Sequence, residues 1–360
     1  MAPKKSPVYF APADGRESPE ALSEKAKRAY LATGLNDKIA EGDFAALKIH
    51  FGEVGNTGFI KPAWLAGLLW EVRQRTKHAF LTDSNTLYVG NRSNSIDHLR
   101  LAWSHGFTPE ATGLPVIIAD GLIGRDKQEP RSAQARTASS KIASAILDAD
   151  VLVALTHVTG HVQTGLGAAI KNVGMGCASR AGKLDQHSVT HPRVNPKQCR
   201  NCSVCMAFCP EAAIAQAEGH VVIEPAKCIG CGECLVVCKF GAIKMKWDED
   251  SARLQEKMAE YAGRVVGHFK GKAAFVSFLI QVTKDCDCMA KNQKRIVEDV
   301  GILASLDPVA IDQATADLLV ERGGGADPLR AGYDLDWSAQ LAHGQRIGLG
   351  SRAYALVEIR

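Results

Sequence analysis

The 360-residue sequence lacks the features of a membrane, secreted or disordered chain. None of its apolar stretches approaches the length of a transmembrane helix, and no signal-like apolar run follows the basic residues near the N-terminus. A hydrophobic fraction of 46% is ordinary for a globular core and argues against disorder. We therefore expect a cytoplasmic protein with no membrane span.

Long runs of one charge are also missing. The 43 Lys and Arg residues nearly balance the 39 Asp and Glu residues, and the two signs are interspersed along the chain. A nucleic-acid-binding surface usually needs a concentrated basic patch. We therefore expect no nucleic-acid partner.

Cysteine is the residue that stands out, with 11 in the chain. Eight of them fall into two runs with the spacing C-x2-C-x2-C-x3-C, namely Cys199, Cys202, Cys205 and Cys209, and Cys228, Cys231, Cys234 and Cys238. The runs lie 29 residues apart, and an Ala-Ile pair follows each at the same offset, which indicates an internal repeat. Such spacing favours metal-binding thiolates in a reducing compartment over disulfides.

This spacing is typical of a pair of 4Fe–4S clusters. Three closely spaced thiolates can hold three irons of one cube, and the fourth cysteine of each run binds the other cube. One cluster is thus assigned to Cys199, Cys202, Cys205 and Cys238, and the other to Cys228, Cys231, Cys234 and Cys209. Structural zinc fits less well, because zinc sites usually pair two C-x2-C units across a longer loop. Residues 193–247 resemble bacterial two-cluster ferredoxins, except that Lys239 replaces the proline expected after the second run.

Outside residues 193–247, apolar runs of strand length alternate with helical stretches. This alternation predicts an α/β fold with a mainly parallel sheet and helices on both faces. The predicted strands are 44–53, 78–85, 114–121, 150–158, 272–282 and 301–305, and the predicted helices are 62–76, 95–106, 139–149, 251–269 and 307–321. The chain is divided into an α/β domain in two parts, 1–192 and 248–360, and an inserted ferredoxin-like α+β domain, 193–247.

Most of the predicted strands end in titratable or metal-binding residues. The carboxyl ends of parallel strands meet at one edge of a sheet, where ligands usually bind. We therefore expect these residues to converge on that edge: His50, Glu53, Asp83, Asn85, Asp120, His157, His161, Asp285, Cys286, Cys288 and Asp307.

The segment "DCDC" holds two of the three remaining cysteines, Cys286 and Cys288. Residues i and i+2 of an extended chain face the same way, so both thiols could bind one ion. Flanking aspartates and a lysine argue against a purely apolar core position. Metal ligation and redox thiol chemistry both stay open, whereas Cys177 is expected to be structural.

Three further groups are candidates with less specific signals. His157 and His161 lie in "THVTGH", where Gly160 favours a loop, and they could be ligands, proton carriers or structural residues. The glycine-rich stretch 164–183 favours an anion site at a helix start, helped by Lys171, over dinucleotide binding. Glu53 lies in a glycine-containing loop that could wrap a ligand or simply join a strand to a helix.

The segments "KIHFGEVGNTGFIKP", "LTHVTGHVQTGLGAAIKNVGMGCASRAGK", "DCDC" and "GILASLDPVAID", together with the two cysteine runs, resemble the iron–sulfur family called domain of unknown function three-six-two. The resemblance extends from about residue 44 to the C-terminus. It implies an α/β domain that carries a two-cluster ferredoxin module. The positions that match the family's motifs are His50, Glu53, His157, His161, Lys171, Asn172, Cys286, Cys288 and Asp307.

Together these patterns predict an iron–sulfur oxidoreductase. Electrons would pass through two 4Fe–4S clusters to a small-molecule substrate or an additional metal at the sheet edge. Cys286 and Cys288 would be ligands or redox thiols, Glu53, His157 and His161 proton carriers or ligands, and Lys171 an anion clamp. Such a protein needs a redox partner protein. The alternative is an electron-transfer or assembly partner of a larger redox complex, with no substrate of its own.

Overall fold

The computed structural model describes residues 5–88, 90–130, 140–187, 191–228, 232–244 and 250–359. Sixteen strands lie in these ranges: β1 (Ser6–Pro12), β2 (Phe44–Ile49), β3 (His78–Asp83), β4 (Val116–Ile118), β5 (Lys127–Gln128), β6 (Ile142–Ala143), β7 (Val151–His157), β8 (Thr159–His161), β9 (Gly165–Gly167), β10 (Arg193–Val194), β11 (Ile214–Ala217), β12 (His220–Ile223), β13 (Ile243–Lys244), β14 (Ala273–Leu279), β15 (Gly301–Ser305) and β16 (Tyr354–Glu358).

The same ranges contain thirteen α-helices and two 3₁₀ turns, Asn36–Lys38 and Pro62–Leu65. The α-helices are α1 (Pro19–Ala32), α2 (Ala66–Arg75), α3 (Ser95–Ser104), α4 (Pro109–Thr112), α5 (Ser144–Leu147), α6 (Ala169–Gly174), α7 (Arg180–His187), α8 (Val204–Ala207), α9 (Glu233–Val237), α10 (Ser251–His268), α11 (Pro308–Arg322), α12 (Pro328–Gly332) and α13 (Ala339–Arg346). None of the described helices is both long and apolar enough to cross a membrane.

A central sheet of eight strands organises the molecule, in the order β16-β1-β15-β14-β7-β2-β3-β4. Five of its seven neighbouring pairs are parallel, and β15 runs antiparallel to both β1 and β14. The prediction of an α/β fold with a mainly parallel sheet is therefore confirmed.

The sheet is covered on both faces, as its sequence pattern predicts. Every residue of β7 and β14 is buried, and successive side chains point to opposite faces. Leu152 and Phe275 belong to a core shared with α6, α10 and α11, whereas Val153 and Val276 belong to a core shared with α1 and α2. Parallel strands buried on two faces need such continuous apolar runs.

The antiparallel course of β15 overturns one expectation. Asp307 follows β15, so it lies at the sheet edge opposite to the carboxyl ends of the parallel strands. Its carboxylate instead caps α11 by accepting hydrogen bonds from the backbone of Val309 and Ala310. It also accepts from the Ser6 hydroxyl and from the Ser351 backbone.

Several predicted boundaries are wrong. Of the strand predicted over 114–121, only β4 is present. Of the helix predicted over 139–149, whose residue 139 lies outside the described ranges, only α5 is present. The strand predicted over 272–282 ends at Leu279, so "DCDC" does not continue it. Strand β15 and helices α10 and α11 are confirmed within one or two residues.

The cysteine-rich segment forms two small antiparallel pairs. Strand β10 pairs with β13 across the whole segment, and β11 pairs with β12 as a hairpin. A separate hydrophobic cluster lies here, and it also contains Leu87 and Leu184 from the α/β part. The two parts of the chain are therefore in direct apolar contact.

Candidate functional site

A cavity of about 550 Å³ lies at the carboxyl ends of β2, β3 and β7. It is closed by α6, by the segment after β3 and by the "DCDC" turn. Six of the residues predicted to converge on this edge line it: His50, Asp83, His157, His161, Cys286 and Cys288. Lys171 and Asn172, which match the family's motifs, line it as well. The expected convergence therefore holds for these six, whereas Glu53, Asn85, Asp120, Asp285 and Asp307 are not among the residues that line the cavity.

A buried charge network forms the floor of this cavity. Lys48 lies 3.0 Å from Asp83 and donates a hydrogen bond of 2.8 Å to the Asn172 amide oxygen. Asn172 in turn donates to the Leu155 carbonyl and the Thr156 hydroxyl. Burial alone would raise the pKa of Asp83, but Lys48 holds it well below its usual value. The network thus fixes an ionised carboxylate beneath the cavity.

Glu53 forms a buried ion pair with a neighbouring arginine. Its carboxylate lies 3.2 Å from the guanidinium of Arg92, and both side chains are buried. Arg92 also donates a 2.6 Å hydrogen bond to the Tyr88 hydroxyl, and its Nη1 lies 3.9 Å from Asp83. Glu53 therefore orients Arg92 at the wall of the cavity.

His50 presents a neutral imidazole. The Gly52 backbone N–H donates to its Nδ1 at 2.9 Å, so the ring proton lies on Nε2. Burial lowers the pKa of His50 well below its usual value, and Arg92 lowers it further. Within the described part of the chain, Nε2 is buried without a hydrogen-bond partner.

Cys286 and Cys288 meet in a tight turn. The Met289 backbone N–H donates to the Cys286 carbonyl at 3.0 Å, which closes a four-residue turn around Asp287. The predicted extended geometry is therefore wrong, but the turn keeps the two thiols close enough for each to shift the pKa of the other. Interaction with the Cys288 thiol and with the nearby Lys171 ammonium lowers the pKa of Cys286 to about 5, and interaction with Cys286 raises the pKa of Cys288.

Lys171 lies against this pair, with its ammonium 3.4 Å from the Cys286 sulfur. Burial alone would lower the pKa of Lys171, but the two sulfurs raise it above its usual value. Lysine ammonium and cysteine thiolate therefore form an ion pair at the cavity wall.

His157 holds the turn from below. Its Nδ1 lies 2.8 Å from the Asp287 carboxylate, and its Nε2 lies 2.8 Å from the Ile280 carbonyl. Both partners are acceptors, so both ring nitrogens donate and the imidazole is charged. Burial alone would lower the pKa of His157, but Asp287 raises it above its usual value. This geometry favours a positioning role for His157.

His161 belongs to the hairpin of β8 and β9, so the loop predicted around Gly160 is wrong. Its Nδ1 accepts a hydrogen bond from the Gln163 backbone and lies 2.9 Å from the Thr164 hydroxyl. Burial lowers the pKa of His161 well below its usual value, and Lys171 lowers it further. His161 is thus a neutral side chain at the cavity.

The anion site predicted at the start of α6 is wrong. The carboxylate of Asp312, from α11, accepts hydrogen bonds from the backbone of Ala169 and Ile170 at 2.8 Å each. These are N–H groups that a bound anion would need. Lys171 instead points to Cys286.

The sequence patterns missed several cavity residues, notably Lys48, Tyr88, Arg92, Lys183 and Asp287. Lys48 had a signal, because it is a lone charge inside the apolar strand "FAALKI". Arg92 lies in a polar loop whose residue types give no indication that its side chain is buried. Lys183 donates hydrogen bonds to the Ser84 hydroxyl and the Ala178 carbonyl, and burial lowers its pKa to about 8.

The first predicted set of cluster cysteines is brought together from both runs. Cys199, Cys202, Cys205 and Cys238 line one small cavity. Burial raises the pKa of Cys205, and Cys238 raises it further, more than Cys202 or Cys199. Backbone N–H groups of Asn201 and Ala242 donate to the sulfurs of Cys199 and Cys238 at 3.4 and 3.3 Å.

Three members of the second set also meet. Cys209, Cys228 and Cys234 line another small cavity, and the Ala213 backbone donates to the Cys209 sulfur at 3.2 Å. The fourth predicted member, Cys231, lies outside the described residues. Among the residues that are described, no group of three or more His, Cys, Asp or Glu side chains is placed to hold a single metal ion.

The second cysteine set lies close to the sheet-edge cavity. A Cβ at Gly232, which lines the same small cavity as Cys234, would lie 3.3 Å from Leu184 and 3.8 Å from Leu87. Leu87 also lines the sheet-edge cavity. Leu87 therefore lies next to both.

Comparison with known families identifies the class of protein. Residues 45–317, most of the chain, match the family described as domain of unknown function DUF362. The protein therefore belongs to this family, as its motifs predict. No curated protein sequence matches the chain at a significant level.

Two solved structures are similar in outline. Lactate racemase apoprotein from Thermoanaerobacterium thermosaccharolyticum is 13% identical over 87% of this chain and 57% of its own, with a TM-score of 0.44. A protein from Thermotoga maritima is 9% identical over 91% of this chain and 61% of its own, with a TM-score of 0.39. The chain thus spans about three fifths of each of these structures.

Proposed function

We propose that this protein is an iron–sulfur oxidoreductase. Two 4Fe–4S clusters, held by the crossed cysteine sets, would supply single electrons to a small molecule bound in the sheet-edge cavity. The observation that carries the proposal is the meeting of Cys238 with Cys199, Cys202 and Cys205 around one cavity. Crossed ligation of this kind is a property of two-cluster ferredoxins, and nothing about single-ion sites requires it.

The cysteine sites fit the proposed clusters in their donor chemistry. Backbone N–H groups already point at the sulfurs of Cys199, Cys209 and Cys238. Such hydrogen bonds stabilise the charge on cluster thiolates and tune the potential. A cube distributes its four thiolates over four irons, so they stand farther apart than ligands of one ion. The lack of a compact single-ion site among the described residues is therefore compatible with clusters.

The cavity offers a polar floor and an apolar wall for a small molecule. Three of its buried polar atoms have no hydrogen-bond partner within the described chain: His50 Nε2, Asp83 Oδ2 and Asp287 Oδ1. A bound molecule could satisfy them. His50 would donate a hydrogen bond, and Lys171 would stabilise negative charge beside Cys286.

A redox partner protein would deliver the electrons. Val204 and Phe240 line the small cavity of the first cysteine set, and both side chains are substantially exposed. Exposed apolar residues beside a redox centre suit a small, transient docking surface. Electrons would enter there and leave through the second cluster, beside Leu87.

The first test is the metal content of the anaerobically purified protein. We expect about eight irons and eight acid-labile sulfides per chain. Zinc in place of iron, or iron without sulfide, would overturn the proposal. The Cys177→Ala variant is the matched control, because Cys177 is a buried thiol in the α/β core and should leave the count unchanged.

Crossed ligation has its own test. In electron paramagnetic resonance spectra of the reduced protein, Cys238→Ser and Cys205→Ser should alter the same cluster signal, and Cys209→Ser and Cys234→Ser the other. If Cys238→Ser instead altered the signal that Cys234→Ser alters, each run would bind its own cluster. A carrier without a substrate is the alternative function. It would retain electron transfer to its partner after replacement of both Cys286 and Cys288 by serine.

A further inference from the structure

The "DCDC" turn places two cysteines in the wall of the sheet-edge cavity, away from the cluster sites. Cys286 and Cys288 both line this cavity, and Cys286 is only 8% exposed. No described His, Cys, Asp or Glu side chain completes a metal site with them. The surroundings of the two sulfurs therefore suit thiol chemistry.

The turn brings the two cysteines close together. The Met289-to-Cys286 backbone hydrogen bond folds the chain back between them, and the two thiols shift each other's pKa in opposite directions. A disulfide needs Cα atoms roughly 4.4–6.8 Å apart. Two cysteines that lie two positions apart in a tight turn meet that requirement without a large backbone movement.

The environment distinguishes the two sulfurs. Lys171 approaches the Cys286 sulfur to 3.4 Å and stabilises a thiolate there. Cys286 raises the pKa of Cys288, which favours the protonated thiol at that position. A thiolate beside a protonated thiol is the arrangement of a nucleophilic cysteine with its resolving partner.

We infer that Cys286 and Cys288 form a redox-active dithiol that exchanges with low-molecular-weight disulfides in the cavity. The Cys286 thiolate attacks one sulfur of the small disulfide, forms a mixed disulfide and releases the first thiol, which takes up a proton. Cys288 then loses its proton and attacks the Cys286 sulfur, which releases the second thiol. The net change is one small disulfide reduced to two thiols and one protein dithiol oxidised to a disulfide.

Return to the dithiol takes two electrons and two protons. This half of the cycle rests on the proposed function, in which the electrons arrive one at a time from reduced 4Fe–4S clusters. The exchange half needs no cluster. A large substrate such as a protein disulfide is excluded by the burial of Cys286.

The chain allows a direct test, because trypsin can cleave after Lys284 and Lys291. The peptide Asp285–Lys291 then contains both cysteines and no other. Anaerobic protein is equilibrated with mixtures of reduced and oxidised dithiothreitol, quenched in acid, denatured, labelled with iodoacetamide and analysed by mass spectrometry. We expect this peptide to carry two labels under reducing conditions and none, with an internal disulfide, under oxidising conditions.

Two labels at every ratio would overturn the inference, and so would pairing of either cysteine with a cysteine elsewhere. The Cys177→Ala variant is the control and should behave as the wild type. In Cys288→Ser, oxidised 2-hydroxyethanethiol should leave a stable mixed disulfide on Cys286.

The role of Lys171 has a separate readout. The rate of Cys286 labelling should rise with pH around a midpoint near 5, the value to which its neighbours lower its pKa. Lys171→Met should move that midpoint upward by about one pH unit. Lys171→Arg keeps the positive charge and should leave the midpoint close to that of the wild type. A midpoint unaffected by Lys171→Met would remove Lys171 from the site.

Iron and sulfide are counted in the same samples, so the two proposals fail separately. A full complement of iron with an inert peptide would sink the dithiol and leave the iron–sulfur proposal intact. A peptide that changes between dithiol and disulfide in protein without iron would support the dithiol and overturn the iron–sulfur proposal.

Discussion

At the scale of single residues, the His157–Asp287 pair holds the "DCDC" turn in place. Both side chains are almost fully buried, and the imidazolium donates from both of its nitrogens. Removing one member of a buried ion pair leaves the other charge unpaired, which typically costs about 3 kcal/mol. We expect His157→Gln to lower the free energy of unfolding by about that amount, measured by urea denaturation at pH 6.

The pH dependence of this loss follows from the raised pKa of His157. An ordinary histidine titrates near about 6.5 in the unfolded chain. Below that pH both states bind the proton and the pair contributes in full. As the pH rises through the higher folded pKa, the contribution disappears. The difference between wild type and His157→Gln should therefore shrink above neutral pH, and a difference that grows instead would contradict a charged His157.

Gly160 allows strand β8 to pack directly against the backbone just before the "DCDC" turn, because it has no side chain. Its backbone N–H donates to the Thr283 carbonyl at 2.8 Å, and a Cβ at this position would overlap the Lys284 carbonyl oxygen. Gly160→Ala should therefore push β8 away from the "DCDC" turn and cost about 1–3 kcal/mol of stability. Thermal unfolding measures the cost, and Gly42→Ala, with open space around its Cβ, is the control. Equal melting temperatures for the two variants would mean that the hairpin tolerates displacement.

At the scale of elements, a short helix carries the lysine that faces Cys286. Helix α6 has only six residues, and its first N–H groups bond to Asp312 of the neighbouring α11. Burial raises the pKa of Asp312 to about 7. The position of Lys171 therefore depends on a cap supplied from more than 140 residues away in the sequence.

Replacing this cap should affect both stability and the site. Asp312→Ala leaves two buried N–H groups unpaired, which we expect to cost about 2–4 kcal/mol. Because a loosened α6 no longer holds Lys171 beside Cys286, labelling of Cys286 at pH 6 should slow. Asp312→Asn, which keeps one acceptor, should lose less of both quantities. Urea denaturation and the peptide labelling assay provide the two measurements.

Asp307 is the matched control at the opposite edge of the sheet. Asp307→Ala removes the N-cap of α11 and the acceptor for Ser351, so we expect a loss of about 1–2 kcal/mol. Labelling of Cys286 should stay at the wild-type rate, since none of the hydrogen bonds of Asp307 in the described chain reaches a residue that lines the cavity. Slower labelling in this variant would show that loss of stability alone disturbs the turn.

The predictability of these elements follows from how local their causes are. Strands β7, β14 and β15 and helices α10 and α11 are readable because each buries an apolar run or stripe that its own letters display. Strands β1 and β16 are not, because they pair with each other from opposite ends of the chain. The direction of β15, and hence the place of Asp307, depends on partners that periodicity does not specify.

The same reasoning applies to the site. The edge location of His50, Asp83 and His157 follows from parallel strands, so sequence is enough to predict it. The roles of these residues are set by groups brought from elsewhere: Arg92 for Glu53, Asp287 for His157 and Asp312 for α6. Such contacts join residues separated by tens to more than a hundred positions, and no local spacing encodes them.

At the scale of the whole molecule, two parts of very different core size meet at Leu87. The α/β part has an extensive core on each face of its sheet. The cysteine-rich part has one small cluster, which includes Cys205 and Cys234 themselves. A core this small rarely stabilises a segment without a metal or a covalent link.

Removal of the proposed iron–sulfur clusters should therefore unfold one part and spare the other. In protein prepared without clusters, we expect backbone amides of β11 and β12 to exchange with deuterium at least about tenfold faster, because bound metal contributes directly to folding in small segments. Amides of β7 and β14 should keep their protection, since both faces of these strands are packed without any cysteine of the two runs. Hydrogen exchange followed by mass spectrometry measures both regions in one sample. Unchanged protection of β11 and β12 would mean that the small apolar cluster is enough to stabilise this part of the chain without metal.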